Sequence, residues 1–204
     1  MASHARHNSF IYMRDAEGLY VNLFAPSELR WKARGVTLRQ ETRFPDEDTV
    51  KLSFECDSPT KFTVKLRHPA WSPDMGLKVN GQAVDAGKAG DYVAIRREWK
   101  TGDQVDVKFT LPLPTESMPD NPQRIAFFKG PILLAGVLGA QANAPMVIPK
   151  VSPFETWFNA VPDNPLKFVT QGILSGPDLR LKPFFKIHDG RYMVYWDLRE
   201  ASGK

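Results

Sequence analysis

Thr49-Val50-Lys51-Leu52-Ser53-Phe54-Glu55-Cys56 is the stretch on which the fold turns. Apolar residues stand at 50, 52 and 54 and polar ones at 51, 53 and 55. An extended chain sorts this period of two into one apolar face and one wet face, whereas a helix scatters it around its axis. The same alternation continues on both sides. Phe62, Val64 and Leu66 alternate with Thr63, Lys65 and Arg67, and Val36 and Leu38 with Thr37 and Arg39. Leu19, Val21 and Leu23 alternate with Tyr20, Asn22 and Phe24. Half-buried antiparallel strands carry this signature. Val79-Asn80-Gly81-Gln82 places Asn-Gly, two residues that accept positive φ, where a tight hairpin needs them. Lys100-Thr101-Gly102-Asp103, between Tyr92–Trp99 and Val105–Leu111, reads as a second hairpin. Asp46, Glu47 and Asp48, after Pro45, read as a turn between strands. The expectation is an all-β chain built as an antiparallel, jelly-roll-like β-sandwich.

A break follows Leu111. Pro112, Pro114, Pro119 and Pro122 suggest a long connection reaching Gln123, after which strands resume at Arg124–Lys129 and Ile132–Gly136. A loop over Ala140–Pro145 leads into a tail with strands at Leu166–Val169, Leu179–Phe185 and Tyr192–Trp196. The chain therefore divides into a leading segment (1–14), a sandwich (15–139) and a strand-containing C-terminal extension (140–204) that packs on it.

Composition limits the functions available. Of 204 residues, 42% are hydrophobic, enough to build a sizeable core. The net charge is +4, but Lys and Arg are interleaved with Asp and Glu, and the densest basic cluster, Arg30, Lys32 and Arg34, accompanies no recognition motif. Nucleic acid is not an expected partner. The single cysteine, Cys56, permits neither an intramolecular disulfide nor a cysteine-rich zinc site. No apolar run approaches the ~20 residues of a membrane helix, so no membrane partner is expected. The first ten residues are too polar for a signal peptide, which leaves the compartment unspecified: the chain stays in the cytoplasm or belongs to something whose export signal lies elsewhere.

Several residues invite a chemical reading. His188 beside Asp189 suggests acid–base work, but Asp189-Gly190 is also a turn pair, and neither a nucleophile nor an orienting group accompanies it. Asp189 and Glu155 could serve as a hydrolytic carboxyl pair only at a set separation. The carboxylates at 46–48 lack the spaced ligands and glycine of a calcium loop. His4 and His7, three apart, would need further ligands to hold a metal. Among Trp31, Trp71, Trp99, Trp157 and Trp196, the third and fifth end alternating strands and read as core. Trp31 and Trp71 are the candidates for stacking on a sugar ring.

Taken together, several segments resemble the zinc-dependent β-L-arabinofuranosidases of glycoside hydrolase family 127. They include Ser3-His4-Ala5-Arg6, Gly18-Leu19-Tyr20-Val21-Asn22-Leu23-Phe24, Leu66-Arg67-His68-Pro69-Ala70-Trp71, Val79-Asn80-Gly81, Trp99-Lys100-Thr101-Gly102-Asp103 and Phe128-Lys129-Gly130-Pro131. Pro183-Phe184-Phe185-Lys186-Ile187-His188 and Arg191-Tyr192-Met193-Val194-Tyr195-Trp196 are similar to an extension found on relatives. The resemblance implies the β-domain region that follows an (α/α)6 catalytic barrel, where a cysteine thiolate held on zinc is the nucleophile. That nucleophile precedes the segment matching Ser3-His4-Ala5-Arg6. The barrel and its zinc ligands therefore fall outside this chain, Cys56 matches none of them, and no catalytic residue or cofactor is carried over. The expectations are an accessory, non-catalytic domain of such an enzyme or a free-standing carbohydrate-binding module. The expected partners are the catalytic barrel, a second copy through the barrel-facing surface, or a plant-type oligosaccharide.

Overall fold

The computed structural model describes residues 9–140, 143–148, 154–162 and 164–198. The described residues are almost wholly β, without an α-helix, and fall into two units, residues 1–110 and 111–204. The boundary falls between Thr110 and Leu111, just ahead of the proline-rich connection.

In the first unit, β1 (Tyr12–Arg14), β2 (Gly18–Val21), β6 (Thr60–Arg67) and β9 (Tyr92–Trp99) form a four-stranded sheet in that order. β3 (Ser27–Trp31), β4 (Val36–Thr42), β5 (Thr49–Cys56), β10 (Gln104–Phe109), β7 (Met75–Val79) and β8 (Gln82–Val84) form a six-stranded one. All neighbours are antiparallel except β2 and β6, which run parallel. The alternation read from the sequence becomes the core. Val50, Leu52 and Phe54 on β5 are buried, as are Phe62, Val64 and Leu66 on β6. Trp99 of β9 is fully buried; its ring stacks on Phe54 of the other sheet at 4.2 Å and 24°, and its Nε1 donates to Phe62 O at 3.1 Å.

The Asn80-Gly81 hairpin forms as expected between β7 and β8, with φ of 50° and 80°. Lys100–Asp103 does not form a hairpin. β9 lies in one sheet, and β10 lies in the other, flanked by β5 and β7. The turn is a corner between sheets, because both edges of β10 are already taken. Asp103, almost fully buried, holds this corner by accepting from Lys100 N at 2.9 Å, Asn80 Nδ2 at 2.7 Å and Arg97 Nη2 at 3.3 Å.

The second unit is a single eight-stranded antiparallel sheet. Its strands are β11 (Thr115–Met118), β12 (Asn121–Lys129), β13 (Ile132–Val137), β14 (Phe158–Val161), β15 (Asn164–Thr170), β16 (Arg180–Pro183), β17 (Tyr192–Met193) and β18 (Trp196–Asp197). The proline-rich connection thus contains a strand. β11 lies at the sheet edge between Pro114 and Pro119, a position where neighbouring prolines break no inner ladder. The expected strand Tyr192–Trp196 is split in two, because β17 pairs with β13 and β18 with β12. Trp196 is fully buried against Phe127 and lies directly over Gly136, where a Cβ would come within 2.5 Å of its ring.

Two substitutions test this packing. Trp99→Ala removes the ring that joins the two sheets and lowers stability by about 3–5 kcal/mol. Gly136→Ala drives a methyl into the Trp196 ring and costs about 1–3 kcal/mol. Urea unfolding monitored by circular dichroism reads both losses, and a midpoint unchanged from wild type contradicts the packing described here.

Candidate functional site

Neither tryptophan candidate offers a bare ring, and the two do not meet. Trp31 ends β3 opposite Val36, the first residue of β4. Its ring meets Phe62 edge-on at 5.5 Å, and the Arg34 guanidinium lies over it at 5.0 Å. Trp71 lies at the other end of the same sheet. It stacks on Phe44, just past β4, at 5.7 Å and 17°, and packs on Phe109 at 5.2 Å. The seven residues of β4 span roughly 20 Å between these two positions.

The loop carrying Trp71 is held from within. His68 is buried, with Nδ1 2.9 Å from Ala86 O and Nε2 2.9 Å from Ser72 O. Ser72 Oγ donates to Asp74 O at 2.7 Å and accepts from Thr110 N at 3.1 Å. His68 therefore works as a brace for backbone carbonyls, a role that the motif Leu-Arg-His-Pro-Ala-Trp alone does not reveal.

Trp31 borders a cleft of about 310 Å³ between the free edges of β1 and β3, shared with Tyr12, Met13, Arg14, Leu29 and Arg30. Behind it lies a polar cluster. Tyr12 Oη is 2.9 Å from Ser27 Oγ, and Ser27 Oγ donates to Ala25 O at 2.8 Å. Gln40, buried on the inner face of β4, donates from Nε2 to Leu23 O at 3.2 Å and toward Tyr12 Oη and Ser27 Oγ at 3.3 Å. Burial pushes the Tyr12 phenol above its ordinary range.

The outer faces of both sheets are charged. On the six-stranded sheet Glu41, Lys51, Asp106 and Lys78 stand opposite one another across four strands, a row of alternating sign along a groove of about 580 Å³. On the four-stranded sheet Lys65 Nζ reaches Asp15 Oδ2 at 2.6 Å, Tyr20 Oη at 2.9 Å and Glu17 Oε2 at 3.3 Å. The hydrogen bond from Lys65 is the main force holding the Asp15 carboxyl well below the usual carboxylate range, with help from Tyr20 and the N–H groups of Gly18 and Glu17. Asp15 in turn holds the Lys65 ammonium above its ordinary range.

The remaining candidates are dispersed. His188 and Asp189 are exposed in a turn, with Gly190 at φ 81°, and no hydrogen bond or ion pair joins them to each other. His4, His7 and the side chain of Glu155 lie outside the described residues. The carboxylates at 46–48 lie in the turn between β4 and β5. Among the described residues no three of His, Cys, Asp or Glu converge to hold a metal ion, so these residues do not fit a zinc site. Cys56 is half-buried, and burial, with Asp103 and Asp57, pushes its thiol upward, away from the reactive thiolate.

Comparison with known proteins finds two separate matches along the chain. Residues 18–112 match the β-L-arabinofuranosidase GH127 middle domain, and residues 139–198 match a domain of unknown function. Three solved structures share the fold. A GH127 β-L-arabinofuranosidase from Geobacillus stearothermophilus T6 is 23% identical, with a TM-score of 0.69 over 94% of this chain and 35% of its own. A GH127 β-arabinofuranosidase is 22% identical, with a TM-score of 0.71 over 93% of this chain and 36% of its own. A glycoside hydrolase is 23% identical, with a TM-score of 0.67 over 92% and 37% respectively. The chain spans about a third of the length of these relatives. Comparison with curated proteins gives no match.

The Asp15–Lys65 pair has a definite pH signature. Asp15 is depressed, so its contribution is complete above the unfolded carboxylate range and is lost as pH falls through the folded value. Lys65 is raised, so its contribution is complete below the unfolded ammonium range and is lost as pH rises through the folded value. The loss of thermal midpoint in Asp15→Asn is therefore largest between about pH 4 and about pH 10 and shrinks toward either extreme. Thermal melts across pH check this; a deficit that stays constant into strong acid disproves the coupling.

Proposed function

Starting from a chain that resembles the β-domain region of a glycoside hydrolase family 127 protein, we propose that it is an accessory domain without catalytic machinery of its own. Its task is to pack against the catalytic part of such an enzyme or against a second copy. The observation that carries this reading is the match of residues 18–112 to the middle domain, a part of a glycoside hydrolase.

The electrostatics support it. A general acid for glycoside cleavage needs a carboxyl whose pKa is raised, so that it keeps its proton near neutral pH. Asp15, Glu28 and Asp197 are all shifted the other way, each mainly by a hydrogen bond from Lys65, Arg39 or Arg124 respectively. These carboxylates are committed to surface ion pairs.

A partner surface has apolar material available. Phe10 and Met13 are each 48% exposed, and Leu23 is exposed nearby in sequence. Lone exposed apolar residues are ordinary, but three at the leading end of the first unit suit a face that another body covers.

Two measurements test the proposal. The chain alone, with or without added zinc, should release no arabinose from a chromogenic β-L-arabinofuranoside; protein-dependent release overturns the non-catalytic reading. Light scattering should show concentration-dependent self-association that weakens in Phe10→Ser combined with Met13→Ser. A strictly monomeric species at high concentration counts against the covered face.

A further inference from the structure

The exposed aromatic residues of the second unit gather on one short segment. Phe184 and Phe185 expose 40% and 51% of their surface, and Tyr192 and Tyr195 expose 44% and 50%. Leu179 and Leu181, on the approach to that segment, are buried, and Met193 packs against the core. Between Leu179 and Tyr195 the exposed large hydrophobic residues are all aromatic, and, among the described residues, the exposed aliphatic ones of this unit, Met146 and Ile148, lie on another segment. A face shaped to dock a protein exposes both kinds.

The rings are held in place by the backbone. Pro183 closes β16, and a single 3-10 turn, Phe184–Lys186, follows at once; Ile187 N donates to Phe184 O at 3.0 Å. The chain then doubles back through Gly190 at φ 81° so that Tyr192 enters β17 opposite Val137 of β13. The Phe184 and Tyr192 rings end with centroids 5.5 Å apart and planes at 53°. Lys186 Nζ lies 5.6 Å from the Phe185 ring centroid, and His188 and Asp189 are exposed in the loop that joins the two rings.

We propose that Phe184 and Tyr192, flanked by Phe185, form a saccharide-binding platform. A sugar ring has a face of C–H groups that settles on an aromatic face and a rim of hydroxyls that needs donors and acceptors. Two rings set at an angle suit two successive sugar units turned relative to each other. The Tyr192 hydroxyl, His188 and Asp189 supply the polar rim. Charges of both signs, Lys186 and Arg191 against Asp189, suit a neutral chain rather than an acidic one. Because Pro183 and the 3-10 turn hold the rings before any ligand arrives, little ordering remains to oppose binding. The proposal goes beyond the accessory reading and stands on a different unit of the chain.

Native affinity electrophoresis of the full chain in gels containing arabinan, arabinogalactan or arabinoxylan tests it. Retardation is expected in at least one of these neutral polymers. Phe184→Ala and Tyr192→Ala should each weaken it roughly tenfold, and Val84→Ala, at an exposed position of β8 in the first unit, should leave it unchanged. All three side chains are exposed, and circular dichroism confirms that the variants keep the wild-type fold. No retardation in any gel, or retardation unchanged in both platform variants, overturns the proposal. Loss of self-association in those variants without retardation of the wild type also overturns it, by assigning the rings to a protein contact. None of these readouts depends on arabinofuranoside cleavage, so the platform and the accessory role fail separately.

Discussion

The stacking of Trp99 on Phe54 is the contact on which the first unit depends. One ring comes from each sheet, 4.2 Å apart, and the indole N–H is satisfied by Phe62 O within the same layer. A buried indole usually pairs its N–H, and here the strand that β9 lies against provides the partner. The corner that follows must then carry the chain from one sheet to the other. Buried Asp103 does this by binding the corner's own backbone and the β7–β8 hairpin together.

The second unit is also built round a buried tryptophan, but here shape rather than a paired indole N–H fixes the ring, since Trp196 Nε1 has no hydrogen-bond partner among the described residues. Trp196 fills the center of its core and needs Gly136 beneath it, because a side chain there would occupy the same space. Its strand is only two residues long, and its neighbour β17 is no longer. Such short pieces are stabilised by what they bury rather than by their own ladder. This is why an aromatic-rich run that looks like one strand becomes two, each serving a different partner.

Much of this was legible in the residues, and the failures are informative. The alternation at 50–54 and 62–66 placed every inward residue correctly, because a period of two has one physical reading when one face is wet. Asn80-Gly81 predicted its hairpin because few other pairs accept that backbone. Lys100–Asp103 misled because a turn's local chemistry is the same whether the next strand pairs beside the last one or opposite it. The strand at 115–118 was hidden by prolines, which forbid inner strands and permit edge ones. For Trp31 and Trp71, the candidates for stacking on sugar, the signal was residue type alone. Trp31 and Trp71 stood in polar or loop surroundings, yet Arg34 and Phe44 lie against their rings.

The sequence by itself determined that the chain is all-β, where most strands lie, that Trp99 and Trp196 are core, and which family it resembles. The first three follow from periodicity and turn chemistry, which act over a few residues; the resemblance rests on particular motifs such as Leu66-Arg67-His68-Pro69-Ala70-Trp71. Only the tertiary structure decided which strands share a sheet, that the unit boundary falls after residue 110, and that the exposed rings of the second unit, among the described residues, are Phe184, Phe185, Tyr192 and Tyr195. Those outcomes depend on contacts between residues far apart in the chain, and local patterning carries no information about which distant face covers which.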